Sequence, residues 1–147
     1  MKPKQFLIPF LIISFILVLS ASYQLNFEPK TELHINQMEM RFNGMNATAT
    51  ISYEVDFLTQ MYVFFFGGRN LEPYLGDFLY DFNEFRFVSV RGTTAEVELI
   101  NVSRWGGSYY FYESNQFENQ VPIIILIYPD GTKKTLENTN KTMNIFY

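Results

Sequence analysis

Fifteen carboxylates, one histidine and no cysteine limit the chemistry that this 147-residue chain can support. Asp77 and Asp81 stand four apart and Glu96 and Glu98 two apart. On a helix and a strand respectively, each pair would turn its oxygens to one side, as a hard cation requires. Neither has the spacing of a calcium loop, and solvated charge is the simpler account of both. A hydrolase built on paired carboxylates would need one acid held neutral in a cleft; Asp77 and Glu113 are examples of acidic side chains that a carbohydrate-cleaving protein could use. His34 is the sole histidine, so neither a Ser-His-Asp triad nor a multi-histidine metal site can be assembled. Gly67-Gly68 and Gly106-Gly107 lack the strand-to-helix setting of a phosphate-cradling loop. No catalytic, cofactor-binding or metal-ligating residue is therefore assigned, and no cofactor is expected.

Two other groups of residues carry recognisable chemistry. Asn46-Ala47-Thr48, Asn101-Val102-Ser103 and Asn140-Lys141-Thr142 are acceptor sequons for N-glycosylation at Asn46, Asn101 and Asn140. The stretch from Trp105 to Tyr112 sets aromatic side chains beside flexible backbone, and Trp105, Tyr110 and Tyr112 are the candidate platform for a sugar or a peptide. The plainer account is an ordinary strand with Tyr109 and Phe111 facing the core while Tyr110 and Tyr112 face outward.

Positioning these residues requires a β-rich scaffold. Residues 48–57 alternate, with Ala49, Ile51, Tyr53, Val55 and Phe57 on one face and Thr48, Thr50, Ser52, Glu54 and Asp56 on the other. Upstream, Leu33 and Ile35 share one phase and Met38, Met40 and Phe42 the other, which predicts a bulge near Asn36-Gln37. Asn43-Gly44-Met45-Asn46 supplies the turn of a hairpin between them. Met61 to Phe66 reads as a strand buried on both faces, with a short helix from Asp56 capped by Gly67 as the alternative. Leu71, Tyr74, Leu75, Phe78, Leu79 and Phe82 recur at helical spacing over about 70–82, with Asn70 as N-cap and Pro73 in the first turn. Strands follow at 85–90, 95–102 and 121–128, a further one at 109–112, and Pro129-Asp130-Gly131 turns the chain into a hairpin partner over 132–136.

The start of the chain gives its address. After Lys2 and Lys4, no charged side chain occurs from Gln5 to Phe27. The dense apolar run from Phe6 to Leu19 would be a helix of about 21 Å, short of a hydrocarbon core of ~30 Å, as in a signal peptide. Extended to Phe27 it reaches about 33 Å, enough to span, with Tyr23 and Phe27 at interfacial depth. Ser20-Ala21-Ser22 resembles a signal-peptidase site. The leading expectation is an uncleaved transmembrane anchor over 6–27, with 1–5 as a cytoplasmic basic end and 28–147 exported; secretion after cleavage is the alternative. Without Lys2 and Lys4 the chain retains nine basic and 15 acidic side chains, a formal charge of −6. That argues against nucleic acid and against anionic lipid headgroups as partners. An exported domain without cysteine must cohere by packing, and 16 Phe, 10 Tyr and one Trp supply the area.

The apolar start, SYEVDFL, YVFFFGGRNLEPYLGDFLYDF and the aromatic close NIFY together resemble a family of small membrane-anchored archaeal surface proteins of unknown function. The resemblance implies location and architecture and transfers no functional residue. The expected fold is α+β, an antiparallel β-rich domain with one packed helix, and an immunoglobulin-like sandwich with a crossover helix is the alternative. The expected function is a non-enzymatic interaction or structural component of the cell envelope, with an envelope protein or a glycan as partner. A carbohydrate-binding or carbohydrate-cleaving surface protein and a helper subunit of a membrane complex are the competing readings.

Overall fold

The computed structural model describes residues 33–147, so the expected anchor at 6–27 lies outside the described residues. Among those described, no helix is long and apolar enough to cross a membrane. The chain is β-rich, with strands β1 (His34–Asn43), β2 (Asn46–Glu54), β3 (Phe85–Val90), β4 (Thr94–Leu99), β5 (Ser103–Trp105), β6 (Tyr110–Tyr112), β7 (Gln116–Ile127), β8 (Lys133–Lys141) and β9 (Ile145–Phe146). Helices α1 (Phe57–Phe66) and α2 (Glu72–Phe78) lie between β2 and β3, joined through a 3-10 turn at Arg69–Leu71.

Six strands form one sheet in the order β3-β4-β2-β1-β7-β8, and β5-β6-β9 form a second. The larger sheet is mixed: β1 pairs antiparallel with β2 and parallel with β7, from Gln37 opposite Ile123 to Arg41 opposite Ile127. An antiparallel bias is present, but the parallel pair departs from the two antiparallel sheets of an immunoglobulin-like sandwich. Alternation decides the faces. Met38, Met40, Phe42, Ala47, Ala49, Ile51, Ala95, Val97, Leu99, Ile124 and Leu126 are all buried on one face, in a cluster with Leu71, Leu75, Phe78, Leu79, Phe82, Tyr112, Phe117 and Ile145. The opposite face carries Thr48, Thr50, Glu96, and an Arg86–Glu98 pair across β3 and β4.

The opening hairpin follows its sequence pattern closely. The register shifts between Ile35 and Gln37, where the two apolar phases predict a bulge, and Asn43 stands opposite Asn46 across Gly44-Met45. Phe57 departs from that pattern, because β2 ends at Glu54 and Phe57 opens α1 with its side chain exposed.

Residues 61–66 are helical, which overturns the buried strand in favour of the capped helix. Asp56 accepts from the Thr59 amide (3.0 Å) and hydroxyl (2.5 Å), satisfying donors that a helix start leaves open. Those bonds, the Thr59 hydroxyl first, hold the Asp56 carboxyl below its ordinary range. At the other end Gly67 adopts φ 87°, a conformation open to glycine, and returns its N–H to the Val63 carbonyl. α2 is shorter than the periodicity implies. Asn70 lies in the 3-10 turn and caps nothing; Leu71 takes the cap position without a side-chain hydrogen bond. Tyr74 faces solvent, whereas Leu71, Leu75, Phe78, Leu79 and Phe82 are buried, with Phe78 stacked on Phe117 at 4.9 Å. The later strands sit where the pattern puts them with adjusted ends: β4 stops at Leu99 and not at Val102, β7 begins five residues before Val121, and β8 runs on to Lys141.

Strand direction gives the large sheet two distinct ends. His34 pairs with Glu54 and Ser52 with Thr94, so the entry to β1, the exit from β2 and the β3–β4 turn share one end, together with α1. The Gly44-Met45 turn, Leu99 and the Ile127–Lys133 turn share the other. Gly68 ties α1 to the first end, for a Cβ on it would lie 2.4 Å from the Val90 carbonyl oxygen. The Gly68→Ala variant should therefore lose about 1–3 kcal/mol of stability through forced separation of the 3-10 turn from β3. Urea unfolding checks this, and an unchanged midpoint would mean that the backbone at Val90 yields freely.

Candidate functional site

Three surfaces could carry function, and the fold places them apart. The first is α1. Phe57, Leu58, Met61, Tyr62, Phe64, Phe65 and Phe66 are between 40% and 80% exposed, while Thr59 and Val63 alone are buried. No Asp, Glu, Lys, Arg or His occurs from Phe57 to Gly68. A surface helix normally turns polar residues to water, so this one is inverted in composition. A groove of about 510 Å³ runs along it, lined by Phe57, Gln60, Met61, Phe64, Val90 and Arg91 among others.

The second surface is an aromatic cluster on the small sheet. Trp105 is 54% exposed, and its ring lies 4.8 Å from that of Tyr110, which stacks at 5.7 Å on Tyr147. Phe146 adds contacts to Tyr109 and Phe111. The Tyr147 hydroxyl donates to the Gly44 carbonyl (2.8 Å) and shares a hydrogen bond with Ser103 (2.7 Å), which fixes the cluster at the hairpin end of the large sheet. A groove of about 540 Å³ beside it brings Lys133 and Lys134 next to Phe146 and Tyr147.

Tyr112 does not belong to that platform. Its side chain is fully buried, edge-on to Phe42 at 5.0 Å, and its hydroxyl is 2.7 Å from Thr142 Oγ1. The outward phase expected for Tyr112 fails because β6 is a three-residue strand whose end turns into the seam between the sheets; Tyr109 is exposed and Tyr110 half-buried. Of the three candidate ligand aromatics, the fold offers Trp105 and part of Tyr110.

The third surface is a polar cleft of about 350 Å³ lined by Asp81, Asn101, Arg104, Glu113 and Asn115 among others. Glu113 pairs with Arg104 at 3.5 Å, both largely in water, and such pairs contribute little. Asp81 accepts from the Gln116 amide at 2.7 Å, which leaves it a structural role. It lies beyond the end of α2, so Asp77 and Asp81 do not share a helix face, and Asp77 stands exposed outside this cleft. Glu96 and Glu98 share the outer face of β4, where Glu98 is engaged by Arg86. Among the described residues no group of three or more metal-ligating side chains converges.

The sequons have structural occupations of their own. Asn101 adopts φ 52°, an angle that asparagine tolerates, and its amide donates to Asn46 Oδ1 at 2.9 Å where the chain crosses from the large sheet to the small one. Ser103 and Thr142, the hydroxyl residues of two sequons, are buried. Thr142 Oγ1 serves both Tyr112 and the Asn115 amide (2.9 Å). Asn101 and Asn140 are exposed, and Asn46 is half-buried. The signal that could have exposed this role is the tyrosine-rich sequence itself, since buried phenols demand hydroxyl partners.

Neither family models, curated proteins nor solved structures yield a match to the chain.

Buried phenols also make the fold sensitive to alkali. Burial pushes Tyr53 up to about 12 and raises Tyr112 and Tyr147, the latter two partly offset by their bonds to Thr142 and Ser103. The unfolded chain releases these protons near pH ~10, so their contribution is complete below that pH and is lost as pH rises through the folded values. Urea midpoints should hold steady up to about pH 10 and then fall, with a shallower fall in Tyr53→Phe. Equal slopes for the two proteins would show that Tyr53 ionises freely in the folded state.

Proposed function

We propose that this chain is a non-enzymatic, membrane-anchored extracytoplasmic module, an interaction component of the cell envelope. Residues 1–5 stay in the cytoplasm, 6–27 span the bilayer and 28–147 stand outside, in keeping with the resemblance to small archaeal surface proteins. The observation that carries the interaction reading is α1: a well-capped helix without charge turns seven large apolar side chains to the outside, whereas β2 and β4 of the main sheet turn Thr48, Thr50, Glu96 and Glu98 to its open face. Contiguous exposed apolar surface on this scale marks a contact with another molecule or a lipid phase. The same geometry serves a helper subunit, in which α1 meets a membrane-embedded partner. Alkaline carbonate extraction and external protease treatment of intact cells test the placement. The full-length chain should remain in the membrane pellet and lose its domain to protease; a soluble chain with a mature N-terminus near Ala21 or Tyr23 would instead establish secretion.

Glycan binding is the second reading, and exposed Trp105 in contact with Tyr110 favours it, because a flat indole beside a phenol stacks on the apolar face of a sugar ring. Trp105→Ala should abolish retention on a glycan array while leaving the melting temperature unchanged. A flat array with the unmodified protein removes this reading.

A further inference from the structure

We propose that the occupant of the α1 surface is the lipid bilayer itself: α1 lies in the outer membrane–water interface as a second contact, holding the domain down on the membrane that the leading segment enters. The inference rests on the membrane-anchored reading and deepens it.

Topology supplies the first argument. His34, where β1 begins, stands opposite Glu54, where β2 ends, and only Val55 and Asp56 separate that point from α1. The helix is therefore on the end of the sheet at which the chain enters the domain. From Phe27, the last residue of the expected span, to His34 is seven residues, a reach of at most about 25 Å. A domain tethered so closely, at that end, brings α1 within reach of the bilayer surface, whereas the Ile127–Lys133 turn is held some 23 Å further along β1 and β7.

Composition supplies the second. Successive residues of a helix rotate by about 100°, so Phe57, Leu58, Met61, Phe64 and Phe65 cover the half of α1 that faces away from Thr59 and Val63, with Tyr62 at its edge. Phenylalanine, leucine and tyrosine are side chains that the interface accepts. A free interfacial helix needs a charged face to keep it at the surface; here the folded domain, attached through Thr59, Val63 and Gly68, takes that role. Attraction therefore comes from apolar insertion and does not require anionic lipid, which suits an exported part of formal charge −6. Arg91, exposed next to Phe57 and Phe64, is placed to meet a lipid phosphate.

The absence of cysteine makes the test direct. Single cysteines in the full-length chain, Phe65→Cys, Leu58→Cys, Lys133→Cys and Ser14→Cys, are labelled with an environment-sensitive fluorophore after reconstitution into phosphatidylcholine vesicles. Each variant is checked for an unchanged melting temperature. Nitroxide-bearing lipids should quench labels at 65 and 58 as they quench the label at 14, with little loss at 133, and aqueous iodide should show the reverse order. Labels at 65 and 58 as open to iodide as the label at 133 would overturn the proposal. Labels at 65 and 58 shielded from both quenchers would overturn it too, assigning α1 to a second copy of the chain or to the leading segment. A label at 14 that lipid nitroxides fail to quench would sink the anchored reading itself, and so separates the two failures.

Discussion

The parallel ladder between β1 and β7 is the constraint on which the architecture depends. β1 is hydrogen-bonded on both sides, to β2 immediately after it and to β7 more than eighty residues later. That second pairing sets Met38 beside Ile124 and Met40 beside Leu126, and a slip of one residue in β1 would turn its apolar set to water. It also fixes which turns lie at which end, and hence the separation of α1 from the aromatic cluster. A contact of such sequence separation carries a loop-closure cost that the local β1–β2 hairpin does not, so the hairpin is the natural surface on which β7 docks.

Without disulfides, the seam between the two sheets is held by apolar packing and by hydroxyl chemistry. Phe42 packs on Tyr112 of β6 and on Tyr147, the residue after β9, while the phenols reach Thr142, Ser103 and the Gly44 carbonyl. Among the described residues, no buried side-chain nitrogen or oxygen lacks a partner. Each such bond adds only about 1 kcal/mol net, yet breaking one strands its mate in a dry environment at greater cost. Tyr53 does the same at the opposite end, donating to the Arg91 carbonyl and so fastening the β3–β4 turn beside α1.

Local pattern made the hairpin, its bulge, β3 and the buried side of α2 legible, because each depends on alternation or helical spacing within a dozen residues. MYVFFF misled for a physical reason: a continuous apolar run has no period, and its aromatic content argues for a strand when burial is assumed. The assumption failed, since five of those six side chains are exposed, four of them aromatic, with only Val63 buried. The local cues of Asp56 and Gly67 pointed the other way and were right. Sheet order was not legible, because the β1–β7 contact leaves no trace in either segment. Tyr112 was misplaced for a related reason, as a three-residue strand is too short for alternation to decide its phase. Of the candidate surfaces, Trp105 was visible as the chain's one tryptophan, beside glycines, whereas the apolar helix was present in the sequence and hidden by being read as core.

The helix also shows how little of its composition folding requires. Its ends are satisfied by Asp56 and Gly67, its seat by Thr59, Val63 and the close approach of Gly68 to Val90. Substituting polar side chains at Phe64, Phe65 or Phe66 would remove no buried contact from the core cluster, and water favours such a surface over one made of phenylalanine. Strands β2, β3 and β4 follow that preference, with threonines, glutamates and an arginine on the open face of the large sheet. A region where composition departs from what the folded domain needs, while its own two caps are well made, is the surface that the proposed contact with the bilayer would occupy.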